Sequence, residues 1–507
     1  MIPNTERLVY RRQFIIGSRY FERDDWIHLP LDDRLFLSVH PDLPITQSFR
    51  QNSQLILLGY LIDPEHPDWS NEEILQDIHQ QCSSFEQLLQ GMDHCGGRWI
   101  ILYKDGKQLK LFHDACGMRQ VFYTVQPEGM WCASQASTLA DHLGIELDEN
   151  EDLQTFLHSP QYHHSENFWP GDGSPYCGIK HLTPNHYLDL HSGKTARYWP
   201  RARLQPIALR EAVQQASNML IGSMKAIANR SEVMLPVTAG WDSRILLAAS
   251  RHVSSHVFYY ISLHPGLKKD STDVTVPSRL LARLGLPFHV LPSIEQLDGS
   301  FVSLNKQNTQ MRDLAKSSII YQHFLRSQGK VNITGNHSEI AREAYYDYHP
   351  KREVTGSFLA KHARLGKQPY VIDSFEHWLK GIRDAKEKWD INPLTLFEWE
   401  QISGNWGAIY VSEQDIAIDE FSPFNNRKLL ITVLSVKHSY GLRNELYREM
   451  IREMWPETLQ MPINPLPFPK LLKDLCKETL RGGLYYSYRV LQKGRGRGVR
   501  KRKEETT

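Results

Sequence analysis

Two rhythms of apolar positions run along the chain. Up to about residue 203 the apolar residues come in short runs closed by turns. Residues 54–62 form one such run, ended by Asp63-Pro64. Residues 98–103 and 109–112 flank Asp105-Gly106, a pairing that predicts a hairpin. Residues 120–124 follow a turn at Cys116-Gly117, and residues 131–134 begin a further short strand. Successive short strands with sharp turns predict stacked antiparallel sheets. Near residue 205 the rhythm changes. Helical periodicity at 209–227, 243–249, 270–284 and 311–327 alternates with apolar strands at 233–237, 257–262, 288–291 and 331–334. That alternation predicts a parallel sheet with helices on its faces. Beyond residue 370 the pattern is mostly helical and rich in Trp and Glu, and no internal repeat is present. The glycine-rich basic stretch 493–503 reads as a solvated terminus.

Composition narrows the function classes. The chain has 507 residues, enough for two or three domains, and 59 Lys and Arg against 58 Asp and Glu give a net charge of +1. That balance argues against bulk nucleic-acid binding. Hydrophobic residues at 41% and charged residues at 23% are those of a globular protein. No run approaches a membrane span, and the first residues lack the apolar core of a signal peptide. The six cysteines (82, 95, 116, 132, 177, 476) contain no CxxC pair and are too sparse for a disulfide framework, so a cytoplasmic protein is expected.

The sharpest chemical feature is Val237-Thr238-Ala239-Gly240-Trp241-Asp242-Ser243-Arg244, between a predicted strand and a predicted helix. Small residues let the backbone approach a ligand, and N–H groups at a helix start, with the hydroxyls of Thr238 and Ser243, suit an anion. Asp242 would repel bare phosphate, a conflict that a bridging Mg²⁺ removes, and Arg244 adds positive charge. The plain alternative is a strand-to-helix turn with Asp242 as its cap. The octapeptide resembles the pyrophosphate-binding Ser-Gly-Gly-x-Asp-Ser loop of the asparagine-synthetase-like enzymes, with Thr238 and Ala239 at the first two positions. Gly335-Asn336-His337-Ser338-Glu339-Ile340 resembles that family's Gly-Glu-Gly-x-Asp-Glu segment. Glu339 then falls on the metal-binding acid, Asn336 replaces a Glu and His337 a Gly, and Arg342 and Glu343 are alternative members of the site. Read by itself, Glu339 is also an ordinary acid at a helix start.

Further pieces resemble the family's glutaminase-like domain: Gly97-Arg98-Trp99, residues 113–119, Val121 to Tyr123, residues 182–186 and Arg197-Tyr198-Trp199. The resemblance implies an α+β N-terminal Ntn-hydrolase-like sandwich (1–203). An α/β parallel-sheet PP-loop synthetase domain with a helical C-terminal part follows (204–490), then a basic tail (491–507). An active glutaminase of this type needs an N-terminal Cys, whereas residue 2 is Ile2, so glutamine hydrolysis is not expected. In the family a Pro-Phe-Leu-Asp-like segment is followed by a helical Lys. Here Ser422-Pro423-Phe424-Asn425-Asn426-Arg427 leads to Arg443 or Asn444 at that position, with Arg448 a second candidate. Arg443 could stabilise phosphate charge but could not carry a proton.

The resemblance implies an ATP-dependent ligase that turns a small-molecule or peptide carboxylate into an acyl-adenylate, releases pyrophosphate and passes the acyl group to an amine. ATP and Mg²⁺ are the implied cofactors. Asp242 and Glu339 would hold the metal, and Arg443 would join them in catalysis. Residues 237–240, 242–244 and Gly335 would line the triphosphate, while Ile261 and Ser262 would meet adenine at a strand end. No nucleic-acid or membrane partner is implied, and a homodimer is allowed. β-Lactam synthetases and lasso-peptide cyclases share this plan, and no residue selects either. A catalytically silent ATP-binding scaffold and another adenylating PP-loop enzyme remain as alternatives. Three near-motifs read plainly. Ser192-Gly193-Lys194-Thr195 is a turn, because Leu188 stands where a phosphate loop needs Gly. His163-His164 is a surface pair, and Asp270 to Asp273 reads as a helix cap, although its position in the family resemblance also implies proximity to nucleotide or substrate.

Overall fold

The computed structural model describes residues 5–309, 317–342, 353–437, 439–442 and 444–465. The first part of the chain supplies twelve strands. These are β1 (Phe14–Gly17), β2 (Ile27–Pro30), β3 (Phe36–Val39), β4 (Ile45–Arg50), β5 (Ser53–Ile62), β6 (Gly96–Asp105), β7 (Gln108–His113), β8 (Phe122–Gln126), β9 (Gly129–Ala133), β10 (Lys180–His181), β11 (His186–Asp189) and β12 (Lys194–Arg197). They form two antiparallel sheets, ordered β10-β8-β9-β1-β3-β2 and β12-β11-β7-β6-β5-β4. The Asp-Gly hairpin is β6–β7, closed at Asp105 opposite Gln108, with Gly106 at φ 55° supplying the left-handed turn residue. Residues 192–195 are indeed a turn, joining β11 to β12.

The continuous apolar run in β5 has a physical cause. Alternate side chains of a strand face opposite ways, and here both faces are buried. Ile56 and Leu58 join Phe14, Ile16, Leu37, Ile100, Leu102 and Leu111 in one cluster. Leu55 and Leu57 face a second cluster with Trp99, Ile101 and Phe112, the helix-borne Ile74 and Leu75, and Phe375, Trp378 and Trp399 from the helical C-terminal part. Strands β1 to β3, of four residues each, escape the sequence pattern because they are short, and β4, which does alternate buried and exposed positions, is not among the predicted strands. β1 is buried throughout and β2 is largely exposed, so neither shows alternation.

The remaining strands are β13 (Val233–Pro236), β14 (Val257–Ser262), β15 (His289–Leu291), β16 (Val331–Ile333) and β17 (Asp419–Phe421). They form one parallel sheet in the order β15-β14-β13-β16-β17. Helices α1 (Leu209–Arg230), α2 (Trp241–Ala249) and α3 (Thr272–Arg283) match the predicted periodicity. The predicted helix at 311–327 is seen as Ser317–Arg326, and residues 311–316 lie outside the described residues. β17 was not readable as a strand, since its sequence is Asp419-Glu420-Phe421. Its acids have partners: the partly buried Asp419 faces Arg98 at 3.3 Å, and the buried Glu420 accepts from the Asn332 amide at 2.7 Å. Along the sheet the chain runs outward from β13 to β14 and β15, then returns to β16 on the other side of β13. That reversal is a topological switch point, and the crevice beyond the carboxyl ends of β13 and β16 is where such sheets bind ligands.

Buried polar contacts tie the antiparallel sheets to the C-terminal helices. Arg98, 1% exposed, donates to both oxygens of Asp415 at 2.5 and 2.7 Å. Glu400, fully buried, accepts from Arg197 at 2.5 and 2.9 Å, from Asn185 at 2.9 Å and from the Trp378 indole at 2.9 Å. Asn425 accepts from the Cys116 N–H at 2.8 Å and donates to the Gly97 carbonyl at 2.7 Å. Among the described residues no helix is long and apolar enough to cross a membrane.

Candidate functional site

The loop after β13 enters the switch-point crevice. Val237 is buried and its N–H continues the sheet pattern by donating to the Tyr260 carbonyl at 2.9 Å. The Ser243 hydroxyl accepts from the Thr238 N–H and meets the Thr238 hydroxyl, both at 3.0 Å. The Gly240 N–H donates to the Thr238 hydroxyl at 3.1 Å. The Ala239 N–H donates to the Asp273 carboxylate at 3.1 Å. Thr238 and Ser243 therefore shape the loop from within, and three of its N–H groups are already paired. Gly240 is the cap residue of α2, with no side-chain cap, so Asp242 is not the cap that the plain reading requires. The N–H groups of the first turn, at Trp241, Asp242 and Ser243, have no carbonyl four residues back within the helix and lie at the positive end of its dipole.

The second segment follows β16 and packs directly on the first. A Cβ on Gly335 would lie 2.7 Å from the Cβ of Asp242 and 3.3 Å from its carbonyl carbon, so only glycine permits this approach. His337, where the resemblance has Gly, adopts φ 72°, the left-handed region that glycine favours. Its ring is buried, and burial pulls its pKa down to about 4. Ser338 donates its hydroxyl to Asp242 Oδ1 and offers its carbonyl to the Tyr447 hydroxyl at 2.9 Å. Arg342 reaches back so that one nitrogen, Nη2, lies 3.0 Å from Asp242 Oδ1 and 3.3 Å from Glu339 Oε1. Burial, and then the neighbouring Asp242 charge, push the Glu339 carboxyl above the usual carboxylate range. Glu398, buried on the irregular helical turn Glu398–Gly407, is raised further by burial and by Glu339, and its Oε2 has no hydrogen-bond partner among the described residues.

The structure thus brings Thr238, Ala239, Gly240, Asp242, Ser243, Gly335 and Glu339 together. Ile261 and Ser262 end the adjacent strand β14, where the buried Ser262 hydroxyl lacks a partner among the described residues. Arg244 is a correction. Its side chain is fully buried and donates to the carbonyls of Thr458 and Met461 at 2.8 and 2.9 Å, away from the loop. Asp273 is another: the first-turn acid of α3 binds the loop instead of capping its own helix. Arg443, Glu343 and Ile2 lie outside the described residues. Arg448 sits over the Trp241 ring at 5.8 Å, at the rim of the loop. Residues 425–427 serve the junction instead of the crevice, since Arg427 is buried against Asn185 and donates to the Tyr198 hydroxyl at 2.7 Å. A pocket lined by Gln120, Phe122, Trp169 and His181 shares no residue with this crevice.

The expected divalent ion does not fit this arrangement. The point that both carboxylates reach is taken by the Arg342 guanidinium. Among the described residues no group of three or more His, Cys, Asp or Glu is gathered as metal ligands.

The crevice therefore lies at the switch point of a five-stranded parallel sheet, between the loop after β13 and the acid segment after β16. No protein-family model and no curated protein matches the chain. Among solved structures, the glutamine phosphoribosylpyrophosphate amidotransferase of B. subtilis, complexed with ADP and GMP, aligns over 67% of this chain and 73% of that one, with 11% identity and a TM-score of 0.22. The NH3-dependent NAD synthetase of Campylobacter jejuni aligns over 39% and 95%, with 16% identity and a TM-score of 0.22. The NMN synthetase of Francisella tularensis aligns over 39% and 93%, with 13% identity and a TM-score of 0.21. Scores this low carry no argument, and the functional reading rests on the residues of the site.

Proposed function

We propose that the protein is an ATP-dependent amide-forming ligase that activates a carboxylate as an acyl-adenylate. The observation that carries the reading is the meeting of two segments distant in sequence. The loop at 237–243 and the acid segment at 335–339 follow the two strands that flank the switch point, and Gly335 packs against Asp242. These are the same two segments that resemble the asparagine-synthetase-like family. The first-turn N–H groups of α2 favour negative charge on a leaving pyrophosphate. A phosphate oxygen at the Ala239 N–H would take the place now held by the Asp273 carboxylate, exchanging one anionic acceptor for another. The substrate carboxylate attacks the α-phosphorus, pyrophosphate leaves, and an amine then attacks the acyl carbon and releases AMP. The chain's share is positioning, charge stabilisation and exclusion of water from the adenylate. The acyl substrate is a small molecule or peptide.

The test is ATP–pyrophosphate exchange against a panel of carboxylates. Asp242→Asn is expected to abolish carboxylate-dependent AMP formation while the melting curve stays near wild type. Unchanged turnover in that variant removes Asp242 from the chemistry. The alternative is a catalytically silent ATP-binding scaffold. That reading predicts nucleotide binding with no exchange for any carboxylate.

A further inference from the structure

Between the loop and the acid segment, a side chain of the protein stands where a metal ion would. A cation at this crevice must do two things: offset the carboxylates of Asp242 and Glu339, and leave positive charge facing an incoming phosphate. Arg342 does the first with a single nitrogen, Nη2, at 3.0 and 3.3 Å from the two acids. A guanidinium has five N–H donors in a rigid fork, so one nitrogen spent on the acids leaves the other edges to donate. Arg342 Nε is buried and has no acceptor among the described residues. The group is also braced. Its guanidinium carbon lies 6.0 Å from the centre of the Tyr447 ring, and the Tyr447 hydroxyl is fixed on the Ser338 carbonyl at 2.9 Å. Asp242 is held in turn by the Ser338 hydroxyl. Removing Asp242's repulsion of phosphate needs a positive charge within contact distance of its oxygens, and Arg342 supplies one permanently, because guanidinium does not deprotonate in proteins.

We propose that Arg342 replaces the divalent cation at Asp242 and Glu339, so that the triphosphate of a nucleotide binds this crevice through a guanidinium instead of a protein-held metal. The proposal rests on the nucleotide-site reading above, and its test separates the two. ATP binding to the full-length protein is measured by calorimetry in excess EDTA and in excess magnesium, for wild type, Arg342→Gln and Arg342→Lys. Wild type is expected to bind ATP in EDTA. Arg342→Gln is expected to lose about ten- to a hundredfold in affinity in EDTA, the loss of one charge-assisted contact. It is also expected to recover in magnesium, because its bared carboxylates can then hold the ion. Arg342→Lys keeps the charge without the fork, and should fall between the two in EDTA.

Wild-type binding that appears only with magnesium overturns the proposal while leaving the nucleotide site standing. So does unchanged affinity of Arg342→Gln in EDTA. No ATP binding by wild type in either condition overturns the nucleotide site itself, and the proposal with it. The wild-type comparison needs no variant, and Arg342→Lys carries the mutational arm should near-UV circular dichroism show Arg342→Gln to be misfolded.

Discussion

Replacing Glu400 by Gln is expected to cost about 3–5 kcal/mol of stability, and the figure follows from the contacts. Oε1 accepts from Arg197 Nη1 and the Asn185 amide, while Oε2 accepts from Arg197 Nη2 and the Trp378 indole. Glutamine has one acceptor oxygen. Whichever way its amide turns, an NH2 group faces two donors, one of them charged. Each orientation loses a charge-assisted hydrogen bond, worth about 1.5–3 kcal/mol, and a neutral one, worth about 0.5–1.5 kcal/mol, and orphans their donors. The charge that balances Arg197 disappears as well, and burial leaves no water to replace it. The assay is urea unfolding followed by tryptophan fluorescence and by far-UV circular dichroism, where coincident curves license a free energy. Lys388→Ala removes an exposed ion pair with Asp384 and serves as the control, expected within about 0.5 kcal/mol of wild type. Glu400→Leu combined with Arg197→Leu should recover part of the loss, since removing both charges leaves neither unpaired. A Glu400→Gln variant within about 1 kcal/mol of wild type would refute the claim that this carboxylate holds the sheets to the helices.

Three further outcomes are expected. Gly335→Ala should lower stability by about 1–3 kcal/mol and depress ATP–pyrophosphate exchange, because its Cβ meets Asp242 backbone and Cβ atoms that cannot swing away; wild-type melting and exchange would show that this contact does not set the crevice. The Asp63 carboxyl is opposed by burial, yet the His94 imidazole 3.7 Å away, with hydrogen bonds from His66 and the Glu65 N–H, outweighs it and holds its pKa well below the usual range. A pKa depressed on folding gives stability that is present above the unfolded value of about 3.9 and lost as pH falls. The melting-temperature gap between wild type and Asp63→Asn should therefore begin to narrow below about pH 4 and keep narrowing as pH falls toward the depressed native value, and a gap that stays the same from about pH 7 to about pH 3 contradicts the assignment. Burial raises the thiols of Cys82, Cys95, Cys116 and Cys132, so none of these is a ready thiolate. No glutamate should be released from glutamine in a coupled dehydrogenase assay, and steady release would overturn that expectation.

The sequence by itself determined the local elements and the two segments of the site. Apolar runs and periodicity gave β5 to β9, α1 to α3 and four of the five parallel strands, because burial on one face writes a period into the chain and burial on both writes a continuous run. Small and hydroxyl residues before a helix marked the loop at 237–243, and their hydrogen bonds are local. What only the tertiary structure decided depends on contacts between distant residues. The acids of β17 look unlike a strand until Arg98 and Asn332 are placed beside them. Arg244 belongs to the loop in sequence but points away, because its helix turns it toward Thr458 and Met461. The resemblance placed Asp273 and Arg342 near the site, but not the groups that each one meets there. Their roles arise because strand order places β13 between β14 and β16, so that the connections after β14 and β16 both reach the loop that follows β13.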